Sequence, residues 1–347
     1  MNRPPDASVP YRAFYAGRRI LVTGGLGFIG SNLSRELVAL GAQVTIVDAL
    51  IPEYGGNRFN IDGIADRVRV EVADVRDTAA VAAAVHGQDV IFNLAGQVSH
   101  IDSMRDPHTD LEINCRAQLS LLEACRARNP GVKVVFAGTR QVYGRPSSLP
   151  VTEDHLVKPT DVNGINKAAG EYYHLVYNNV FGLRACSLRL TNVFGPRQLL
   201  KHSRQGFIGW FIRLAIEDQE IQIYGDGSQV RDLVFVDDAA DAFLRAGASD
   251  EANGRVFNVG GEEPITHRAL VERLIDVCGT GRYRCVDWPP EKRAIDIGSF
   301  YADSSLIART LGWRPTVGLR DGLQRTVAFY RAHLSQYVTA ASRVGAP

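Results

Sequence analysis

Lys167 follows Asn163 by four residues in the run Asp161-Val162-Asn163-Gly164-Ile165-Asn166-Lys167, so on a helix the two side chains share a face. The lysine brings an ammonium that can hold oxygen atoms and lower the pKa of a neighbouring acid. Asn163 brings a carboxamide, which donates and accepts hydrogen bonds but takes no proton at neutral pH. Thr139, in Ala137-Gly138-Thr139-Arg140-Gln141, adds a hydroxyl, and Tyr143 adds a phenol. Arg140, Arg231 and Arg293 carry guanidinium forks suited to phosphate or carboxylate oxygens. The eight histidines form no H-x-x-x-H or H-E-x-x-H pattern, so no metal site is expected.

A second group of residues points to a phosphate-bearing ligand. Gly24, Gly27 and Gly30, in Gly24-Gly25-Leu26-Gly27-Phe28-Ile29-Gly30, follow the apolar run Arg19–Thr23 and precede a helical stretch. Glycines there allow a tight turn, close approach of backbone to a pyrophosphate, and close packing of helix on strand. The helix N-terminus then offers free N–H groups to the phosphates. Asp48 ends the next apolar run, where an acid binds ribose hydroxyls. No arginine follows it directly, which favours NAD over NADP. Asp74 and Val75 are placed for the adenine edge, and Leu94, Ala95 and Gly96 for passage of the cofactor.

The elements that must position these groups follow from patterning. Short apolar runs at Arg19–Thr23, Val44–Asp48, Val68–Val72, Val90–Ala95, Lys133–Ala137 and Arg184–Leu190 alternate with helical stretches near Ile29–Leu40, Thr78–Val85, Thr109–Arg128 and Asn166–Val180. This predicts an α/β fold, a Rossmann-type doubly wound parallel sheet. After Gly195-Pro196 a smaller mixed α/β lobe is expected. The expected division is a loose N-terminal arm (1–17), a dinucleotide-binding domain (18–195), a substrate lobe with a possible return to the first domain (196–338) and a flexible tail (339–347).

Composition narrows the function classes. The chain has 347 residues, 39 basic and 38 acidic, a balance that argues against nucleic acid or a membrane surface as partner. No apolar run approaches the roughly 20 residues of a membrane span. Five cysteines without a C-x-x-C pair point to free thiols in a reducing, cytoplasmic setting.

These residues, together with Val142-Tyr143-Gly144, Asn192-Val193-Phe194-Gly195-Pro196 and Val230-Arg231-Asp232, resemble the extended short-chain dehydrogenases/reductases, in their nucleotide-sugar epimerase and dehydratase branch. The resemblance runs from about Arg18 to Tyr330. It implies NAD retained through a cycle in which a sugar hydroxyl is oxidised and later restored. Thr139 resembles the residue that binds that hydroxyl, and Lys167 the lysine on the nicotinamide ribose. Asn163 occupies the place of the acid/base tyrosine, leaving Tyr143, His100, Lys167 or a water held by Thr139 to carry the proton.

The same resemblance separates reactions. Dehydratases of this branch carry an Asp-Glu pair after the threonine, where this chain has Arg140-Gln141. An epimerase acting at C4 by default is therefore the leading expectation. A decarboxylase or dehydratase is the alternative, as is a protein that binds without turnover. The loop Ala95-Gly96-Gln97-Val98-Ser99-His100 also resembles that of 2-epimerases. Gln97, Ser99, His100, Arg140, Gln141, Asn192, Arg231 and Arg293 are the expected contacts to a nucleotide-diphosphate sugar. A homodimer through the helices near Thr109–Arg128 and Asn166–Val180 is implied.

Overall fold

Strand β1 (Arg19–Thr23) buries Ile20 and Val22 in one hydrophobic core and Leu21 in another, the period-two alternation of a strand covered on both faces. The same alternation recurs in β4 and β5, and it sets the architecture. A computed structural model describes residues 11–338. Its strands continue as β2 (Gln43–Asp48), β3 (Val68–Val72), β4 (Val90–Asn93), β5 (Lys133–Thr139), β6 (Arg184–Leu190), β7 (Asn192–Phe194), β8 (Glu220–Tyr224), β9 (Val230–Arg231), β10 (Leu233–Phe235), β11 (Val256–Val259), β12 (Ile265–Thr266) and β13 (Arg282–Val286).

Seven of these form one parallel sheet in the order β3-β2-β1-β4-β5-β6-β11. This is a Rossmann-type doubly wound sheet. Its strand order reverses between β1 and β4, the place where such sheets open a crevice at their carboxyl ends. One face packs against helices Phe28–Ala39 and Val236–Ala248. The other packs against Thr78–Ala84, Ala117–Arg128 and Val162–Phe181. The remaining strands pair two by two: β7 with β10, β9 with β12, β8 with β13. Together with helices Phe207–Ile216 and His267–Cys278 they stand beside the carboxyl ends of the sheet.

Some expectations need correction. Residues 11–17 are not a loose arm: Tyr15 is fully buried, and its hydroxyl donates to Leu244 O at 2.7 Å. The expected tail and the rest of the arm lie outside the described residues. The stretch read as one helix over Thr109–Arg128 is three pieces, Pro107–Leu111, a π-helical turn Glu112–Arg116, and Ala117–Arg128. Helix Val162–Phe181 begins four residues before the expected Asn166, because Asp161 caps it by accepting from Gly164 N at 2.7 Å. Asn163 is thus inside the helix and is not its cap. Among the described residues no helix is long and apolar enough to cross a membrane.

Candidate active site

A cleft of about 1540 Å³ runs along the carboxyl ends of β1, β2, β4 and β5 and under the second lobe. Its volume exceeds the few hundred to about 1,000 Å³ usual for one small ligand, so a cofactor and a substrate have room together.

One end is the glycine turn. Gly24, Gly27, Phe28, Ile29 and Gly30 line it, with Asp48 beyond at the end of β2. Gly24 has φ +70°, and a Cβ there would meet the backbone of Ala95 at 3.0 Å. Only glycine suits a left-handed residue pressed against another strand. Burial raises the Asp48 carboxyl above its ordinary value, against the pull of the Leu50, Leu26 and Gly27 N–H groups. Asp74, Val75, Leu94, Ala95 and Gly96 continue the wall. Asp74 is gripped by Arg76 at 2.6 and 2.9 Å, which lowers its pKa. A helix N-terminus, a glycine cradle and an acid at the second strand together fit a dinucleotide.

Thr139, Asn163 and Lys167 line the middle of the cleft. Lys167 is buried; its Nζ donates to Ala137 O at 3.2 Å and lies 5.0 Å from the Phe136 ring centre. Burial lowers its pKa to about 8, opposed by the Asp110 carboxylate. Gly96 makes its room, since a Cβ there would stand 2.8 Å from Nζ and 2.9 Å from Asn114 Oδ1. That oxygen is buried without a hydrogen-bond partner. Asn163 donates both amide hydrogens inward, to Gln97 O at 2.8 Å and Asp110 Oδ2 at 3.0 Å. Asp110 is wholly buried and also accepts from Asn166 at 2.8 Å. The carboxamide therefore ties three elements together.

Deeper toward the second lobe the charge is positive. Arg140, Arg231 and His267 line the cleft, and each keeps a buried nitrogen without a hydrogen-bond partner: Nη1, Nε and Nε2 respectively. Burial, then the neighbouring Arg140, lowers Arg231 to about 9 despite Asp296 and Asp232. Burial likewise lowers His267 to about 3, with Arg231 and Arg140 adding to the effect. An anion between these groups would relieve all three, so the end opposite the glycine turn is built for phosphate or carboxylate.

Several expected site residues are elsewhere. Tyr143 does not line the cleft. Its ring is buried against Phe300 and its hydroxyl donates to Asn258 Oδ1 at 2.7 Å, while burial raises its pKa to about 12. Gln97 is buried and bonds to its neighbour Ser99, and Ser99 caps helix His100–Arg105. Both support the loop without reaching the cleft surface. Arg293 is exposed outside the cleft, and Lys292 takes the inner position, donating to Tyr224 Oη at 2.7 Å. His100, Arg140, Gln141, Asn192 and Arg231 do line it, and Arg140 donates to Asn192 Oδ1 at 3.1 Å. Sequence reasoning missed Asp110, Asn114, Asp161 and His267. Only Asp161 carried a signal, as an aspartate three residues before a helical glycine.

Comparisons agree with this geometry. Residues 20–260 match the model of the NAD dependent epimerase/dehydratase family. The chain is 34% identical over 316 residues to the UDP-glucose 4-epimerase of Mycolicibacterium smegmatis, covering 90% of this chain and 98% of that one. It is 33% identical over 323 residues to a dTDP-glucose 4,6-dehydratase of Streptomyces griseus, covering 91% and 95%. The structure of UDP-glucose 4-epimerase from Thermotoga maritima with UDP-glucose superposes with a TM-score of 0.82 at 31% identity, over 91% of this chain and 99% of that one. With a dinucleotide cradle, a hydroxyl and lysine at the centre and an anion site beyond, this chain belongs to the NAD dependent epimerase/dehydratase family, and its cofactor is NAD.

Proposed function

We propose that the protein is a nucleotide-diphosphate-sugar epimerase that reacts at C4 through a transient keto sugar. The observation that carries this reading is the composition of the cleft beside Thr139. Its next residues, Arg140 and Gln141, bring a guanidinium and an amide, so the carboxylate pair that would drive elimination of water is missing there. Epimerisation needs no such pair.

Bound NAD supplies reversible hydride transfer. The chain's own residues do the rest. Thr139 Oγ1, which accepts from Gln141 N at 3.2 Å, has its own hydrogen free to bond the sugar hydroxyl. Lys167 provides a buried cation that would hold the nicotinamide ribose. Arg231, Arg140 and His267 hold the substrate's anionic groups. Asn163 anchors the helix that carries Lys167. One observation favours a second reading, decarboxylation of a uronic acid: the buried Arg140 Nη1 without a partner suits a sugar carboxylate.

Five free cysteines, three of them buried, support a cytoplasmic location. The exposed apolar face of helix Val162–Phe181 supports a homodimer.

Proton NMR of the purified protein with NAD and UDP-, dTDP- and CDP-sugars in D₂O tests the reaction. The C4 epimer should appear without deuterium in the ring. Deuterium next to the oxidised carbon, or loss of carbon dioxide from a uronic acid, transfers the case to elimination or decarboxylation. No change in any sugar would reduce the protein to a binder.

A further inference from the structure

A sugar hydroxyl cannot be oxidised without a group to take its proton, and Asn163 is not that group. Both its amide hydrogens are committed inward, and a carboxamide does not accept a proton at neutral pH. Tyr143 lies outside the cleft. His267 sits among arginines at the anion end, and His202 lies in the loop over the cleft mouth. Lys167 lines the middle of the cleft as its buried cation, donating to Ala137 O at 3.2 Å, and His100 with Asp161 is the imidazole–carboxylate pair beside it.

His100 lines the cleft at the start of helix His100–Arg105. Its Nδ1 is buried and makes no hydrogen bond as it stands, and Asp161 Oδ2 is the carboxylate oxygen within reach, 3.0 Å away; the histidine side chain is 35% exposed and the aspartate side chain 0%. Asp161 is held hard in place. It caps the helix Val162–Phe181 through Gly164 N, and Gln141 Nε2 donates to its Oδ2 at 2.7 Å. Burial opposes its charge, but contact with His100, the Gly164 N–H and the Gln141 amide hold its carboxyl below the usual range. Gln141 N in turn donates to Thr139 Oγ1 at 3.2 Å. Three short contacts therefore connect the imidazole, through Asp161 and Gln141, to the Thr139 hydroxyl. The backbone of His100 is anchored from behind: Ser103 Oγ donates to its carbonyl at 2.8 Å and accepts from Asn163 N at 3.2 Å.

We infer that His100, oriented by Asp161, is the proton acceptor and donor of this site, standing in for the absent tyrosine. A carboxylate within reach of Nδ1 favours the hydrogen there and leaves Nε2, on the other edge of the ring, with the free lone pair. In the forward step the sugar O–H bond breaks and its proton bonds to Nε2. Bound NAD would take the hydride from the same carbon, leaving a C=O bond. In the return step the carbon receives the hydride and the oxygen takes the proton back from Nε2. Other charges packed around the ring are few. Asp102 on its own helix is paired to Arg204 of the covering loop at 3.3 Å, where His202 also lies. Arg105 ends the same helix, His108 and Asp110 follow on the next, and Lys167 stands on the helix that Asp161 caps.

The inference rests on the epimerase reading, and the tests separate the two. The substrate is whichever of UDP-, dTDP- or CDP-glucose the wild type converts. His100→Gln should lower kcat by about 10²–10⁴-fold while calorimetry shows its affinity for that sugar nucleotide within a few-fold of wild type. Asp161→Asn keeps a good helix cap. It should lower kcat while calorimetric affinity for the sugar nucleotide stays within a few-fold of wild type. A readout independent of turnover is ¹H–¹⁵N correlation of the histidine ring, assigned by the signal lost in His100→Gln. The Nδ1–H tautomer should dominate in the wild type and lose that dominance in Asp161→Asn. Wild-type conversion that survives His100→Gln overturns this inference and leaves the epimerase standing, as does a tautomer of the His100 ring that is indifferent to Asp161→Asn. No conversion by the wild type overturns both.

Discussion

At the scale of single residues, the decisive position is Asn163. Its carboxamide fills the place of an acid and instead bridges Gln97 O and the buried Asp110 carboxylate. A hydrogen bond to a buried charge is worth about 1.5–3 kcal/mol, and losing it leaves that charge unmatched. Asn163→Asp keeps the shape but replaces a donor with an acceptor 3.0 Å from Asp110 Oδ2. It should lower the urea-unfolding free energy at neutral pH by about 3–5 kcal/mol, as when a buried charge loses its partner. Adding Asp110→Asn restores one donor and one acceptor across the gap and should recover most of the loss. Equal midpoints for wild type and Asn163→Asp would mean that the two side chains do not meet. The identity of Asn163 was legible in sequence. Its role was not, because Asp110 lies far from it along the chain and no local pattern joins them.

At the scale of elements, legibility follows periodicity. Strands β1, β2, β4 and β5 can be read directly because Ile20, Leu21, Val22 and their equivalents fill both faces, giving continuous apolar runs; edge strand β3 is read from alternation, with Val68 and Val70 on the core side and Arg69 and Glu71 between them. The π-helical turn Glu112–Arg116 leaves no such mark, since one extra residue per turn looks like ordinary helix in composition. Yet that turn presents Asn114, whose Nδ2 donates to Gln97 O at 2.8 Å and whose Oδ1 faces the Lys167 ammonium across Gly96. The loop after β4, the irregular turn and the Lys167 helix meet at a point with no spare volume. Gly96→Ala should displace the lysine tip, the movable partner, and leave the fold intact. Misplacement by about 1 Å costs up to about 10²-fold in rate. We expect kcat to fall at least 10-fold and NAD affinity, measured by calorimetry, to weaken, with the thermal midpoint nearly unchanged. Full activity would show that Lys167 does not need that space.

At the scale of the whole molecule, the largest unsatisfied feature is a stripe on helix Val162–Phe181. Ile165, Tyr172, Val176 and Val180 are all exposed, at spacings of seven, four and four residues that hold them to one face. Leu111, on the adjoining helix Pro107–Leu111, is exposed as well. A lone exposed leucine needs no explanation, but a continuous apolar row on a two-helix surface does. The opposite face of the same helix is spent on the sheet through Tyr177 and on the active site through Lys167, so the row cannot turn inward. Self-association across a two-fold axis would set one row against its copy and bury each side chain for on the order of 1.5–3 kcal/mol. The wild type should therefore elute with twice the chain mass by light scattering at micromolar concentration. Tyr172→Glu combined with Val176→Glu places two charges at the centre of that contact and should yield the single-chain mass, with far-ultraviolet circular dichroism unchanged. A wild type that is monomeric at that concentration, or a double variant that stays dimeric, would remove this helix from the assembly.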